Sequence, residues 1–469
     1  MKKLLVFICL FLSCFSLIVL NLLVSTDIFF NYVLFLGIVS IFEIITIFLG
    51  NMTYKVIKYY NMEQDYSSRN RSLFFILKKT LFASLFIFIL FFLVSFLLSD
   101  LIIGNNSLTL ILRLSSVVIL LFPIIAILRG FLYSLKLVND VCFSYLLTSF
   151  LSMLVVVLSS MFIYFLKINA NTSSYILILF TIAIYFFNFL YLVNTCKNNV
   201  KLIRKNTLKI SEKESDEEIK KRIIVYSYPF VFSILLILPY LDILYGKFLL
   251  KVNTPLLKLK EFDVTILIIG PLFNFIIISF LLAFVKKRRF EKNNLLNIVA
   301  KIFGFSLSLA IFISLFYNPF GIYRYFVYLL PFQVIIAILL EFLYNQNKRK
   351  IIVNSVIGFG CFKILFNIIL LHFFKYTELF GYTGLITSSI ICYLFVIVVF
   401  LVNIISTYKF DCENFIKDLF DIFTSLIASI LIVLLFKHFI YYENIFISLL
   451  YVILGMTIYL LISKNKVSK

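Results

Sequence analysis

Lys363, Asn367, Glu43, Arg129, Arg113 and Asp242 are the side chains best placed to do chemistry in this sequence. Each falls within or at the edge of a long apolar run. An ionisable group at membrane depth costs about 2.5–3.5 kcal/mol on insertion scales, so it marks a functional candidate. Lys363 sits near the middle of GFGCFKILFN and is the deepest basic residue of the chain. A cation there would offset the desolvation of an anionic group such as a diphosphate. Its simpler role is to pair with an acid and lock helices together. Asn367 follows one helical turn later on the same face, where its amide could hydrogen-bond a sugar. Glu43, in IFEIITIF, could neutralise Lys363, carry a proton, or pair with Arg129 or Lys301. Arg129 lies at the mouth of a span, placed either to meet an arriving anion or to snorkel to the interface. Arg113 and Asp242 fall toward the opposite side and could pair as a gate. Lys363, Arg129, Asn367 and Glu43 are therefore the expected substrate-binding residues, and Arg113 and Asp242 the expected gate. No catalytic set or metal site is indicated. His372 and His438 stand apart near span ends, and the seven cysteines form no CxxC pair.

The elements that must hold these residues follow from composition. Hydrophobic residues make up 63% of the chain and charged ones 14%, with 58 Phe and no Trp. A soluble fold could not hide so much apolar side chain. Crossing the bilayer takes roughly 20 apolar residues, and the sequence supplies about fourteen such runs. They lie near 4–25, 28–50, 81–104, 108–133, 140–166, 172–195, 223–245, 265–285, 297–317, 324–345, 351–373, 379–406, 418–437 and 443–463. The first resembles a signal peptide, yet it lacks a small-residue cleavage site and is expected to be a retained helix. The fold class is thus an all-α polytopic membrane protein.

The net charge of +21 could suggest nucleic acid, but the basic residues sit in short alternate loops. That is the positive-inside pattern, and nucleic acid is not an expected partner. It places both termini in the cytoplasm of a multi-pass protein of the cell membrane. The outer loop 246–264, with Lys247, Lys251, Lys258 and Lys260, goes against the pattern and suits an interfacial segment or a solvated loop. The run 197–222, KNNVKLIRKNTLKISEKESDEEIKKR, reads as a charged cytoplasmic linker, in part helical.

A repeat divides the chain. IIAILRGFLY (Ile124–Tyr133) and IIAILLEFLY (Ile335–Tyr344) match at eight of ten positions, 211 residues apart. Each follows a proline, Pro123 or Pro331, and precedes a polar turn. The offset is an even number of spans, so the copies share an orientation. A parallel pseudo-twofold repeat is expected, with two six-helix lobes around a central site. The expected parts are an N-terminal lobe 1–196, the linker 197–222, a second lobe 223–406 and two additional helices in 407–469.

Several stretches resemble the polysaccharide flippases of the multidrug/oligosaccharidyl-lipid/polysaccharide exporter superfamily, in its sporulation-type and lipid II flippase-like branch. These are TYKVIKYYNMEQDYSSRNRSLFFILKKTL (Thr53–Leu81), LRLSS (Leu112–Ser116), RGFLYSLK (Arg129–Lys136) and YPFVFSILLILPYLDILYGKFLL (Tyr228–Leu250). NQNKRK, KILFNIILL and GYTGLITSSIICY, within Asn345–Tyr393, complete the series. The resemblance spans nearly the whole chain and rests on order and spacing more than on any single motif. It implies a carrier that moves a polyprenyl-diphosphate-linked oligosaccharide from the inner to the outer leaflet by alternating access. Relatives that flip lipid II carry arginines in spans one and eight. Here 4–23 and 265–285 hold neither Arg nor Lys, which weakens lipid II in particular and is neutral toward other glycan lipids. The alternatives are a multidrug exporter of the same superfamily or a membrane glycan polymerase or ligase. The last needs acid–base groups in a large outer loop, and none is present. No Walker motif occurs, and no cofactor is expected. The expected partners are the lipid-linked glycan, membrane lipids and, around a monomer, glycan synthases.

Overall fold

The computed structural model describes residues 20, 23–103, 109–166, 169–205, 215–227, 295–316, 327–346, 348–374, 382–407, 412–439 and 445–467. Among these residues all regular structure is helical. The chain divides into two compact units, Met1–Ile234 with Leu257–Leu272, and Leu235–Leu256 with Phe273–Lys469.

The first unit holds α1 (Thr26–Met62), α2 (Tyr66–Ile103), α3 (Thr109–Ser134), α4 (Val138–Leu166), α5 (Ala170–Lys205) and α6 (Asp216–Ser227). The second holds α7 (Leu295–Phe316), α8 (Leu330–Asn345), α9 (Arg349–Phe374), α10 (Tyr382–Thr407), α11 (Cys412–Phe439) and α12 (Ile445–Val467). Among the described residues, eight helices are long and apolar enough to cross a bilayer. Their outward side chains suit hydrocarbon: Phe82 is 72% and Leu93 70% exposed. Helices are the form in which a chain satisfies its own backbone there. This is a multi-pass membrane protein, and about fourteen spans accords with the architecture. The first span apart from residues 20 and 23–25, almost the whole of 223–245 and all of 265–285 lie outside the described residues. Residues 223–227 belong to α6.

Helices α1 and α2 outrun the spans expected at 28–50 and 81–104. Their extra turns are joined by a Schellman turn. The Asp65 N–H donates to the Tyr60 carbonyl at 3.1 Å, while Gln64 takes a positive φ of 58°. Asp65 then caps α2, its Oδ1 accepting from the Ser68 N–H at 2.9 Å. Arg69, almost fully buried, donates from Nη1 to Asn61 Oδ1 at 3.2 Å, and Asn61 Nδ2 donates to the Ser134 carbonyl at 3.3 Å. The α1–α2 turn is thereby tied to the end of α3.

That end of α3 recurs in the second unit. Leu137 N–H donates to the Leu132 carbonyl at 3.1 Å, and Lys348 N–H donates to the Leu343 carbonyl at 3.1 Å. Leu135 N–H reaches Phe131, and Gln346 N–H reaches Phe342, at 3.2 Å each. Every pair is separated by the repeat offset of 211 read from the sequence. The repeated string therefore carries the same helix-ending turn in both copies.

Within the first unit α3 is central, packing on α1, α2 and α5. In the second, α9 pairs with α10, and α7 packs on α8, α11 and α12. Phe312, Leu426, Val433, Tyr451 and Tyr459 form a core there, drawn from α7, α11 and α12.

Candidate functional site

Each unit contains a polar cluster among its apolar helices. In the first it is built around Arg129, in the last full turns of α3. Arg129 Nε donates to Ser144 Oγ of α4 at 3.0 Å, and the guanidinium lies 3.7 Å from the Tyr145 ring centroid. A planar guanidinium stacked on an aromatic face and tethered at Nε is fixed in orientation. Its terminal amino groups make no hydrogen bond among the described residues. Ser144 Oγ in turn donates to Asn188 Oδ1 of α5 at 2.8 Å. Asn188 is fully buried, and among the described residues its Nδ2 has no hydrogen-bond partner.

Glu43, on α1, is half-buried beside this group. It lies within electrostatic reach of Arg129 and of Tyr185 on α5. Among the described residues the Glu43 carboxylate and Arg129 do not close to an ion pair, whereas Arg71 and Asp216 do. The polar series continues along the α1–α5 contact. Tyr32 Oη and Thr181 Oγ1 are 3.1 Å apart, and Asn31 Nδ2 donates to Ser174 Oγ at 3.3 Å. Phe122 packs edge-on against Tyr185 at 4.9 Å.

In the second unit the cluster centres on Lys363 of α9, which is 1% exposed. Its Nζ donates to Asn367 Oδ1 at 2.9 Å, to Ser388 Oγ at 2.9 Å and to the Leu385 carbonyl at 3.2 Å. Ser388 Oγ also donates to Asn367 Oδ1 at 2.6 Å. The ammonium thus bridges α9 and α10 and does not point to the lipid side. Close by, Gln333 Nε2 of α8 donates to Tyr393 Oη at 3.1 Å, and Tyr393 stacks on Phe359 at 5.2 Å.

The expected residues therefore fall into two groups. Lys363 and Asn367 meet directly, as their four-residue spacing on one face implies. Glu43 and Arg129 are neighbours across α1 and α3. Arg113 is exposed, donating from Nε to Ser95 Oγ at 3.3 Å and lying 5.1 Å from the Phe92 ring. Its expected partner Asp242 lies outside the described residues. Lys301 is exposed on α7. Among the described residues no group of three or more His, Cys, Asp or Glu could hold a metal ion.

Sequence reasoning missed Ser144, Tyr145, Tyr185 and Asn188 in the first unit and Ser388 in the second. A signal for some of them exists. Ser174, Thr181, Tyr185 and Asn188 recur at helical spacing, a polar stripe on one face of an otherwise apolar α5.

No family model matches the sequence, and no curated protein matches it. The fold does have solved counterparts. One is an inward-facing multidrug resistance MATE family transporter of the MOP superfamily, with a TM-score of 0.54 and 13% identity, covering 85% of this chain and 95% of that one. Another is the lipid II flippase MurJ in an inward closed conformation, with a TM-score of 0.51 and 14% identity, covering 98% of each chain. The chain has the fold of MOP superfamily transporters.

Proposed function

We propose that this protein flips a polyprenyl-diphosphate-linked oligosaccharide, a precursor of the cell wall or of a surface polysaccharide. The substrate moves from the inner to the outer leaflet of the cell membrane by alternating access. The observation that carries this reading is Arg129. Its guanidinium is held by Ser144 and Tyr145 with its terminal amino groups unspent. A fixed fork of donors matches a phosphate oxyanion in bidentate geometry. The buried Nδ2 of Asn188, two hydrogen bonds behind it through Ser144, is a further donor unspent among the described residues.

Lys363 is the second cation of the reading. It engages the headgroup by exchanging its 3.2 Å contact with the Leu385 carbonyl for a diphosphate oxygen, while Asn367 takes a sugar hydroxyl. Glu43 balances the charge of Arg129 between substrate visits. Arg113 and Asp242 serve as the gate of the opposite side, and both termini lie in the cytoplasm by the positive-inside pattern. The glycan and its carrier are supplied by synthases of the same membrane, and the protein acts as a monomer. The parts are those of the sequence reading: lobes 1–196 and 223–406, the linker 197–222 and two further helices in 407–469.

A second reading, export of cationic drugs, is favoured by one observation, the half-buried carboxylate of Glu43. The fold belongs to drug transporters and a lipid flippase alike, so it does not choose between them. The charge of the polar clusters supports the first reading, since both centre on a base.

The test is translocation in proteoliposomes of a fluorescent polyprenyl-diphosphate oligosaccharide, with an organic cation measured in parallel. Headgroup movement that Arg129→Ala abolishes supports the flippase. Cation efflux that Glu43→Gln abolishes, with no headgroup movement, transfers the reading to drug export.

A further inference from the structure

The contact between α1 and α3 gathers a second set of side chains one turn beyond Arg129. The two helices touch main chain to main chain at Gly50 and Gly130. Four residues past Gly50 stands Tyr54, and three past Gly130 stands Tyr133. Their rings meet edge to face, with centroids 5.0 Å apart. Lys58, a further turn along α1, holds its ammonium 5.5 Å from the centre of the Tyr54 ring. Tyr133 is 40% exposed, Lys58 is exposed and Tyr54 is half-buried. Among the described residues neither tyrosine hydroxyl enters a hydrogen bond, and no acid pairs with Lys58.

Open tyrosines near the end of a membrane helix also suit the headgroup region as such, where amphipathic rings are common. What distinguishes this pair is its place beside Arg129. Arg129 and Tyr133 are four residues apart on α3 and so share a face. The step between them is about 6 Å along the helix axis. The fork of donors on Arg129 and the pair of rings therefore stand side by side, positioned by the same helix contact.

We propose that Tyr54, Lys58 and Tyr133 form the subsite for the sugar esterified to the diphosphate, while Arg129 holds the phosphate. This rests on the flippase reading of Arg129. A hexose pyranose matches the three side chains. The C–H bonds on one side of its ring make an apolar surface that packs on an aromatic face. The hydroxyls around its rim need both donors and acceptors. The two phenol groups supply both, and the ammonium supplies donors. In a pyranosyl diphosphate the ring adjoins the phosphate through one oxygen, which suits a single helical turn between fork and rings. The Lys58 ammonium already takes the place at the Tyr54 ring that a cationic occupant would seek. A neutral or anionic sugar meets no such competition.

The test is isothermal titration of the full chain in detergent with esters of farnesyl diphosphate. One ester carries methyl, and the others carry glucose, galactose or N-acetylglucosamine at the same charge. At least one sugar ester should bind about tenfold tighter than the methyl ester. Tyr54→Leu and Tyr133→Leu should remove that advantage. Both should bind the methyl ester at its parental affinity, which also shows that they fold. Tyr133→Phe keeps the ring and should retain most of the advantage. Arg129→Ala should weaken every ester. An advantage that survives both leucine variants, or a loss shared equally by the methyl ester, overturns the sugar subsite. Equal parental affinity for all the esters overturns it too and leaves the phosphate reading of Arg129 standing. No affinity for any ester removes that reading and the subsite with it.

Discussion

Gly130 of α3 faces the backbone of Gly50 of α1 so closely that a Cβ on Gly130 would collide with the Gly50 carbonyl oxygen. A Cβ on Gly50 would in turn meet the Ala126 carbonyl oxygen at 2.9 Å. The two helices cross backbone to backbone, as small residues permit in membranes. The obstacle is main chain, which cannot rotate aside, so even one methyl is overpacked. Gly130→Ala should destabilise the first unit by about 1–3 kcal/mol, and Gly130→Val by more. Thermal unfolding in detergent checks this, and an unchanged midpoint for both would refute the close crossing. The crossing also carries function, because Arg129 is the residue before Gly130 and takes its position from the same turn.

Arg129→Lys keeps the charge but loses the fork and the flat face that rests on Tyr145. Headgroup flipping should fall well below the parent and close to Arg129→Ala. Tyr145→Leu removes only the ring contact, worth about 0.5–2 kcal/mol, and should slow flipping less than either. Initial rates in proteoliposomes measure all three. Full activity in Arg129→Lys would reduce the residue to a point charge.

Asn367 accepts from both the Lys363 ammonium and the Ser388 hydroxyl. Asn367→Leu should therefore cost about 1–3 kcal/mol, because it strips an acceptor from buried donors. Asn367→Asp preserves the shape and supplies a counter-charge, so it should recover most of the loss. A double-mutant cycle with Lys363→Met should return a coupling of about 0.5–3 kcal/mol. A coupling of zero by thermal unfolding would mean that the two side chains act independently.

Tyr32 and Thr181 join α1 to α5 through one buried hydroxyl pair. Tyr32→Phe leaves the Thr181 hydroxyl its bond to the Leu177 carbonyl at 2.8 Å. The cost should be only about 0.5–1.5 kcal/mol. Thr181→Val removes the helix-directed bond as well and exposes the Tyr32 hydroxyl to an apolar wall, so it should cost more. The ranking of the two midpoints is the check, and the reverse order would contradict it.

The sequence by itself determined the features that live on a single helix. Membrane insertion depends on the length of an apolar run, a one-dimensional property, and so the spans were legible from composition alone. Lys363 and Asn367 are four residues apart on one helix, and their meeting follows from helical geometry. The repeat pair 124–133 and 335–344 was equally legible, and the same closing turn recurs at the same offset. Ser215 and Glu218, three residues apart, form a capping box that is likewise a local feature. Tertiary structure alone decided which helix face meets which. Ser144 of α4 reaches Arg129, Asn188 of α5 reaches Ser144, and Ser95 of α2 meets Arg113. The physical reason is that, apart from the polar stripe of α5, helices apolar on nearly every side carry no amphipathic pattern to announce their rotation. Their rotation is set by close contacts such as Gly50 against Gly130, and those exist only once the helices have packed.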